Sequence, residues 1–159
     1  MPAIISLRAV ADALEEQSDQ NDSYLNPATG EILTVTHEEE RMLEEQDEDE
    51  DDYDEASLSQ WQVDALKQVR EFLAQKPLHL LPDAFAIHEW QIMNDFAEEQ
   101  KDDRTRNILS RALHGSGAFR SFKNSLDQFG IEEAWFRFRR KALEDIAREW
   151  LEEHHLSYE

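Results

Sequence analysis

The sequence predicts a mainly α-helical fold of the α+β class, in which a cluster of about five to six helices carries one N-terminal β-hairpin. Apolar side chains recur at helical spacing through most of the chain, beginning with Leu7, Val10 and Leu14. Residues 24–35 instead carry β-forming side chains on both sides of a turn. With 159 residues the chain can bury one core, so we expect a single domain over residues 1–159.

The hairpin is predicted by the stretch SYLNPATGEILTVT. Pro27 fixes its backbone φ angle and Gly30 readily adopts a positive one, so Asn-Pro-Ala-Thr-Gly has the composition of a turn. Ile32 and Val35 follow the turn and favour a strand. Because a lone hairpin is marginally stable in water, it needs a further partner. The sequence PLHLLP contains a candidate third short strand near 78–81.

The rest of the chain is predicted to be largely helical. In the second of these helices, Trp61, Leu66 and Phe72 belong to one broad apolar face. The connections after residue 100 are short, which predicts an antiparallel three-helix cluster over residues 102–155. The predicted helices run from Ser6 to Gln17, from Ser57 or Ser59 to about Gln75, from Ala84 to Glu99, from Asp102 or Asp103 to Leu113, from Ser116 to Phe129, and from Ile131 to His154.

The composition is that of an acidic globular protein. It contains 37 acidic and 16 basic residues, which gives a net charge of -21. This charge disfavours bulk attraction to nucleic acid or to an anionic membrane and favours basic partners. Cysteine is absent, which excludes thiol chemistry and fits a reducing cytoplasm. No run approaches the ~20 apolar residues of a membrane span, so we expect a soluble cytoplasmic protein.

Acidic residues are concentrated in the segment 37–56. A run of like charges repels itself, which predicts a solvated and flexible segment. The first half of the segment also has the composition of a short helix that carries Met42 and Leu43. The acidic surface that we expect to bind a basic partner consists of Glu48, Asp49, Glu50, Asp51 and Asp52.

Basic residues are concentrated later in the chain. Between Arg104 and Lys141 there are nine bases and three acids, so this window has a net charge of +6 within an acidic protein. The candidate binding residues in this basic region are Arg120, Lys123, Arg137, Arg140 and Lys141.

The stretch HGSGAFRSFKNSL, residues 114–126, has two interpretations. Glycines before a helix start, followed by Arg120 and Lys123, resemble a cradle for an anion. The stretch lacks the Gly-Lys-Ser/Thr of a phosphate-binding P-loop, and no strand precedes it. In the structural interpretation Arg120 and Lys123 form ion pairs within the protein. Gly115 and Ser116 are then helix caps, and Phe119, Phe122 and Leu126 belong to the core.

The stretch WFRFRRK, residues 135–141, alternates aromatic and cationic side chains. This alternation occurs in proteins that stack the bases of single-stranded nucleic acid and pair its phosphates. On a helix, however, Trp135 and Phe138 share one face while Arg137 and Lys141 share another, which is ordinary for an amphipathic helix. The sequence leaves both interpretations open.

Metal sites and catalytic groups are not predicted. His88 lacks the second histidine four residues later that places two zinc ligands on one helix face. The acidic run from Asp47 has Leu58 where a calcium loop needs a bidentate glutamate, and His154 lies near the C-terminus. The sequence also contains no Gly-x-Ser-x-Gly nucleophile motif. We therefore expect no cofactor.

Three successive blocks carry a family resemblance: SYLNPATGEIL, IHEWQIMNDF, and GSGAFRSFKNSLDQFGIEEAWFRFRRKALEDIAREWLEEH. They resemble UPF0158, a bacterial uncharacterised protein family, over nearly the whole chain. The family usually has arginine at the positions of Ser116 and Ser121, so this chain is less basic at the motif. The resemblance implies a bacterial, cytoplasmic protein and implies no activity.

We therefore expect a non-enzymatic interaction or regulatory protein. Its acidic segment would bind a basic protein or fold onto the chain's own basic region; such attraction acts over about 8 Å at physiological salt. One alternative is a nucleotide or nucleic-acid binder that uses the basic region over 104–141. A second alternative is an enzyme whose site is built from scattered residues.

Overall fold

A computed structural model describes residues 3–48 and 59–159 of the protein. In these residues there are seven helices of nine residues or more, one single-turn helix and three strands. The mainly helical α+β fold with an N-terminal hairpin is therefore confirmed. The elements are α1 (Leu7–Glu15), β1 (Asn21–Leu25), β2 (Ile32–Thr36), α2 (His37–Glu48), α3 (Gln60–Leu73), β3 (His79–Leu80), α4 (Ala84–Ile87), α5 (Glu89–Glu99), α6 (Asp103–Leu113), α7 (Ala118–Phe129) and α8 (Glu132–Glu153).

The strands form one antiparallel sheet in the order β2-β1-β3. In the hairpin turn, the side chain of Asn26 accepts a hydrogen bond from the Ala28 backbone at 2.9 Å. Gly30 has a φ of 79°, as a turn of this composition requires. The third strand near 78–81 is confirmed, because Leu80 pairs with Tyr24 of β1. The hairpin thus gains the partner that it needs.

Helix caps explain where several helices begin. Ser6 accepts a hydrogen bond from the Ala9 backbone at the start of α1, and Asp102 accepts one from the Thr105 backbone at the start of α6. Ser59 is the N-cap of α3, and its backbone N–H donates a hydrogen bond to Gln62 Oε1 at 2.9 Å. Each cap satisfies backbone N–H groups that the first turn leaves without a partner.

The prediction of a single helix from Ala84 to Glu99 is wrong, because the helix is interrupted at His88. This residue has a φ of 55° and separates the single turn α4 from α5. The apolar spacing continues across the break, so periodicity alone does not indicate it. One residue in the left-handed region is enough to end a helix and to turn the next one.

The main core lies where α1, α5, α6, α7 and α8 meet. Phe96, Phe122 and Trp135 contact one another edge to face at its centre, with ring centroids 5.1–6.3 Å apart. Helices α6, α7 and α8 therefore share their core with helices from earlier in the chain. That residues 102–155 form a separate three-helix cluster remains a prediction.

A second, smaller core joins α2 and α3 to strand β2. It is formed by four buried side chains, Val35, Leu43, Leu66 and Val69. Met42 packs against this core. Helix α2 is therefore the short helix predicted for the first half of the acidic segment. The flexibility predicted for the remainder, residues 49–56, concerns positions outside the described residues.

Within residues 3–48 and 59–159, no helix combines the length and apolar character that crossing a bilayer requires.

Candidate functional site

The glycine-rich corner joins α6 to α7. His114 is the C-cap of α6, and Gly117 is the N-cap of α7 with a φ of 68°. The predicted caps at Gly115 and Ser116 are therefore each displaced by one residue. Gly117 has open space where a Cβ would stand, so it is the left-handed backbone rather than crowding that favours glycine there.

The assignment of Phe119 to the core is wrong. Its side chain is 53% exposed, whereas Phe122 is 0% exposed and Leu126 is buried as predicted. Phe119 shares its helical phase with Leu126, but it stands in the first turn of α7, where neighbouring helices cover only part of its ring. Periodicity reports the face of a helix and not the position along its axis.

Phe119 lines a groove of about 290 Å³ between α5, α7 and α8, which we call the aromatic groove. Lys123 lies beside Phe119 on α7, and Phe136 contributes a ring that is 62% exposed from α8. The buried Phe122 and Trp135 also line it. The glycine-rich motif and the WFRFRRK stretch thus supply opposite parts of one concave surface.

An ion pair lies in the wall of the aromatic groove. Arg139 Nε donates to Glu89 Oε1 at 2.6 Å, and the side chains of Arg139 and Glu89 are 23% and 32% exposed. The second contact, from an Arg139 terminal nitrogen to Glu89 Oε2, is 3.4 Å long. The pair therefore leaves hydrogen-bonding capacity on both partners.

Four of the five predicted basic binding residues are exposed: Arg120, Lys123, Arg137 and Lys141. In the described parts of the chain, none of the four is within 4.0 Å of a carboxylate oxygen. The ion pairs that the structural interpretation predicted for Arg120 and Lys123 are thus not found there. Of the four residues, Lys123 lines the aromatic groove.

Arg140, the fifth predicted binding residue, serves the fold instead. Its guanidinium contacts Asp12 Oδ1 at 2.6 Å and Glu15 Oε1 at 3.1 Å on α1, and Glu144 Oε1 at 3.1 Å on α8. Desolvation alone would lower the pKa of Arg140, but the hydrogen bonds to these carboxylates outweigh it and raise the pKa. Arg140 therefore fastens α8 to α1.

A second concave surface of about 320 Å³ lies between α2 and α3. We call it the acidic cleft; its defining side chains are Glu38, Glu39 and Met42 from the first half of α2 and Trp61 from the start of α3. Trp61 is 72% exposed, although it lines this surface together with Ala65 and Leu66 from the apolar face of α3. It lies in the first turn of α3, as Phe119 does in α7.

Only one residue of the predicted acidic surface lies in a described element. Glu48 is the last residue of α2, whereas Asp49, Glu50, Asp51 and Asp52 are outside the described residues. Contact between this segment and the chain's own basic region therefore stays a prediction.

Three potential metal ligands meet where β1 approaches the start of α2. Donor atoms of Asp22, His37 and Glu40 lie within 4.8 Å of one another. The protein already partners these atoms: His37 Nε2 is 3.4 Å from Asp22 Oδ2, and the Tyr24 hydroxyl donates to Glu40 Oε1 at 2.9 Å. The set has the donor types of a zinc or manganese site, and its present contacts account for its geometry.

Two residues of the aromatic groove, Glu89 and Phe136, are not among the binding residues predicted from the sequence. No local sequence pattern indicates Glu89, because its ion-pair partner Arg139 lies 50 residues later in sequence. The exposure of Phe136 could have been predicted from the sequence. It lies about a quarter turn from the apolar face of α8, and the residues three and four positions later are arginines. An aromatic residue without apolar neighbours at those spacings is expected to face solvent.

Comparison with known proteins places the chain in a family. Neither the curated proteins nor the solved structures contain a match to it. The family model described as "Uncharacterised protein family (UPF0158)" matches residues 1–159. Since this match covers the full sequence, the chain belongs to the uncharacterised family UPF0158.

Proposed function

We propose that the protein is a non-enzymatic interaction protein that binds a basic segment of another protein in its acidic cleft. The observation that carries the proposal is the exposed indole of Trp61 beside two glutamates. An aromatic face attracts a guanidinium or ammonium group, and tryptophan does so best. Carboxylates at the rim strengthen the attraction and orient the cation.

Other features of the cleft support a peptide-like partner. Met42 adapts its shape to different apolar surfaces, as methionines do in promiscuous binding sites. Glu38 is exposed and forms no ion pair in the described residues. It is therefore available to a cation from outside.

The charge of the whole protein also favours a basic partner. A net charge of -21 raises the rate at which cationic proteins approach. In sequence, the acidic run continues from Glu48, the last residue of α2, through Asp49, Glu50, Asp51 and Asp52, and this concentration of negative charge favours a basic partner. We place the interaction in the bacterial cytoplasm, which the cysteine-free sequence and the family resemblance favour.

The proposal is tested by calorimetric titration with an arginine-rich peptide. We expect Trp61→Ala to weaken binding by about 3- to 30-fold, the range of a cation–π contact. The matched control is Phe85→Ala, which removes another exposed ring, on α4. Glu38→Lys should weaken binding more than Glu153→Lys, which makes the same charge change at the end of α8.

Equal losses in each variant and its control would contradict the proposal, because they would mean unspecific attraction to an acidic surface. A scattered-site enzyme stays an alternative prediction.

A further inference from the structure

We propose that the aromatic groove binds an unstacked base of a single-stranded nucleic acid. This inference goes beyond the proposed function, because it concerns a different surface and a partner of opposite charge. It rests on the two exposed rings, the ion pair in the groove wall and two exposed cations of α7.

The rings of Phe119 and Phe136 are the first support. They are 53% and 62% exposed and line the same groove from two helices. Exposed aromatic faces next to cations are the recurring means by which proteins hold single strands, because every base has a face that stacks. Two rings around one groove suit a planar group that enters between the helices.

The pair of Glu89 and Arg139 is the second support. Guanidinium has five N–H donors, of which the contacts with Glu89 use two. Glu89 Oε2 accepts only the long contact at 3.4 Å. Donors and an acceptor side by side match the edge of a base, which carries both kinds of group.

The same pair argues against an acidic peptide in the groove. A carboxylate that enters it would meet the carboxylate of Glu89, and like charges repel at short range. In a nucleic acid the charges lie on the phosphates, outside the stacked base. Lys123 at the groove and Arg120, three residues earlier on α7, have no ion pair in the described residues and are available to these phosphates.

The overall charge of -21 opposes a polyanion, so we expect weak binding that depends only modestly on salt. If two phosphates are neutralised, the logarithm of the binding constant should fall with the logarithm of salt concentration with a slope of about -1.4. This slope is small compared with that of a protein that relies on charge alone.

The test is fluorescence anisotropy with a short labelled single-stranded RNA at low salt, using the full chain. Phe119→Ala and Phe136→Ala should each weaken binding by about 5- to 100-fold. Lys123→Gln should weaken it less and lower the salt slope by about 0.7. Phe85→Ala and Lys67→Gln remove an exposed ring on α4 and an exposed cation on α3, both outside the groove, and they should bind like the parent protein.

Several results would overturn the inference. These are absence of binding at low salt, equal losses for Phe85→Ala and Phe119→Ala, and displacement of the RNA by an acidic peptide or by a mononucleotide as effectively as by an unlabelled strand. Because Phe119 and Phe136 are exposed, both variants should keep the parental circular dichroism. If one does not fold, the other decides.

Discussion

Phe119 and Phe122 lie three residues apart on α7, yet the first is 53% exposed and the second is fully buried. Phe122 contacts the rings of Trp135 and Phe96 with centroids 5.1 and 6.3 Å away. Both phenylalanines line the aromatic groove, but Phe122 belongs to the core whereas the ring of Phe119 is exposed.

This division predicts a large loss of stability when Phe122 is truncated and almost none when Phe119 is truncated. Phe122→Ala should lower the free energy of unfolding by about 3–5 kcal/mol, because it removes a ring from a packed core and leaves a cavity. Phe119→Ala should change it by no more than about 0.5 kcal/mol. Denaturant unfolding measures both values, and similar losses in the two variants would place Phe119 in the core.

Arg140 should contribute to stability by joining α8 to α1. We expect Arg140→Ala to lower the free energy of unfolding by about 1–2 kcal/mol, because it breaks contacts with Asp12 and Glu15 that are only partly screened. Lys141→Ala, next in sequence and exposed, is the matched control and should have almost no effect. If high salt does not reduce the loss in Arg140→Ala, the ion pairs are not its cause.

The left-handed backbone at His88 should respond to glycine. With a φ of 55°, a residue that has a Cβ is strained, so we expect His88→Gly to raise the free energy of unfolding by about 0.5–1 kcal/mol. His88→Ala keeps the Cβ and should bring no gain. Thermal unfolding of both variants separates relief of backbone strain from loss of the imidazole. An equal gain in unfolding free energy in the two variants would show that the backbone at His88 is not strained.

The contact of Tyr24 with Glu40 predicts a loss of stability in alkali. Burial, the hydrogen bond to Glu40 and the charges of Glu40 and Asp22 raise the pKa of Tyr24 from 10.0 to about 12. Between these values the unfolded chain loses the proton first, so the folded state is favoured below pH 10 and this advantage fades as the pH rises towards 12.

Tyr24→Phe lacks this ionisable group. The difference in unfolding free energy between the parent protein and this variant should therefore be constant up to about pH 10 and then shrink. Unfolding in denaturant across this pH range measures it. A difference that does not vary with pH would mean that the Tyr24 hydroxyl titrates alike in both states.

The sequence predicts much of the fold because its signals are local. The caps Ser6 and Asp102 and the turn at Gly30 act within a few residues, and each stands where expected. The break at His88 was missed because a left-handed residue leaves the apolar spacing intact.

The two surfaces were harder to predict, since both depend on how far helices overlap along their axes. Trp61 and Phe119 have the spacing of core residues but stand in first turns that their neighbours only partly cover. Arg140 looked like a free cation because its partners on α1 lie about 130 residues earlier in sequence. Helical periodicity contains no information on either relation.

The acidic cleft is tested most directly by hydroxyl-radical footprinting with and without a saturating arginine-rich peptide. We expect the oxidation of Trp61 and Met42 to fall strongly in the complex, while that of Phe85 does not change. If the peptide is bound and Trp61 is oxidised as fast as in the free protein, the acidic cleft is not the binding site.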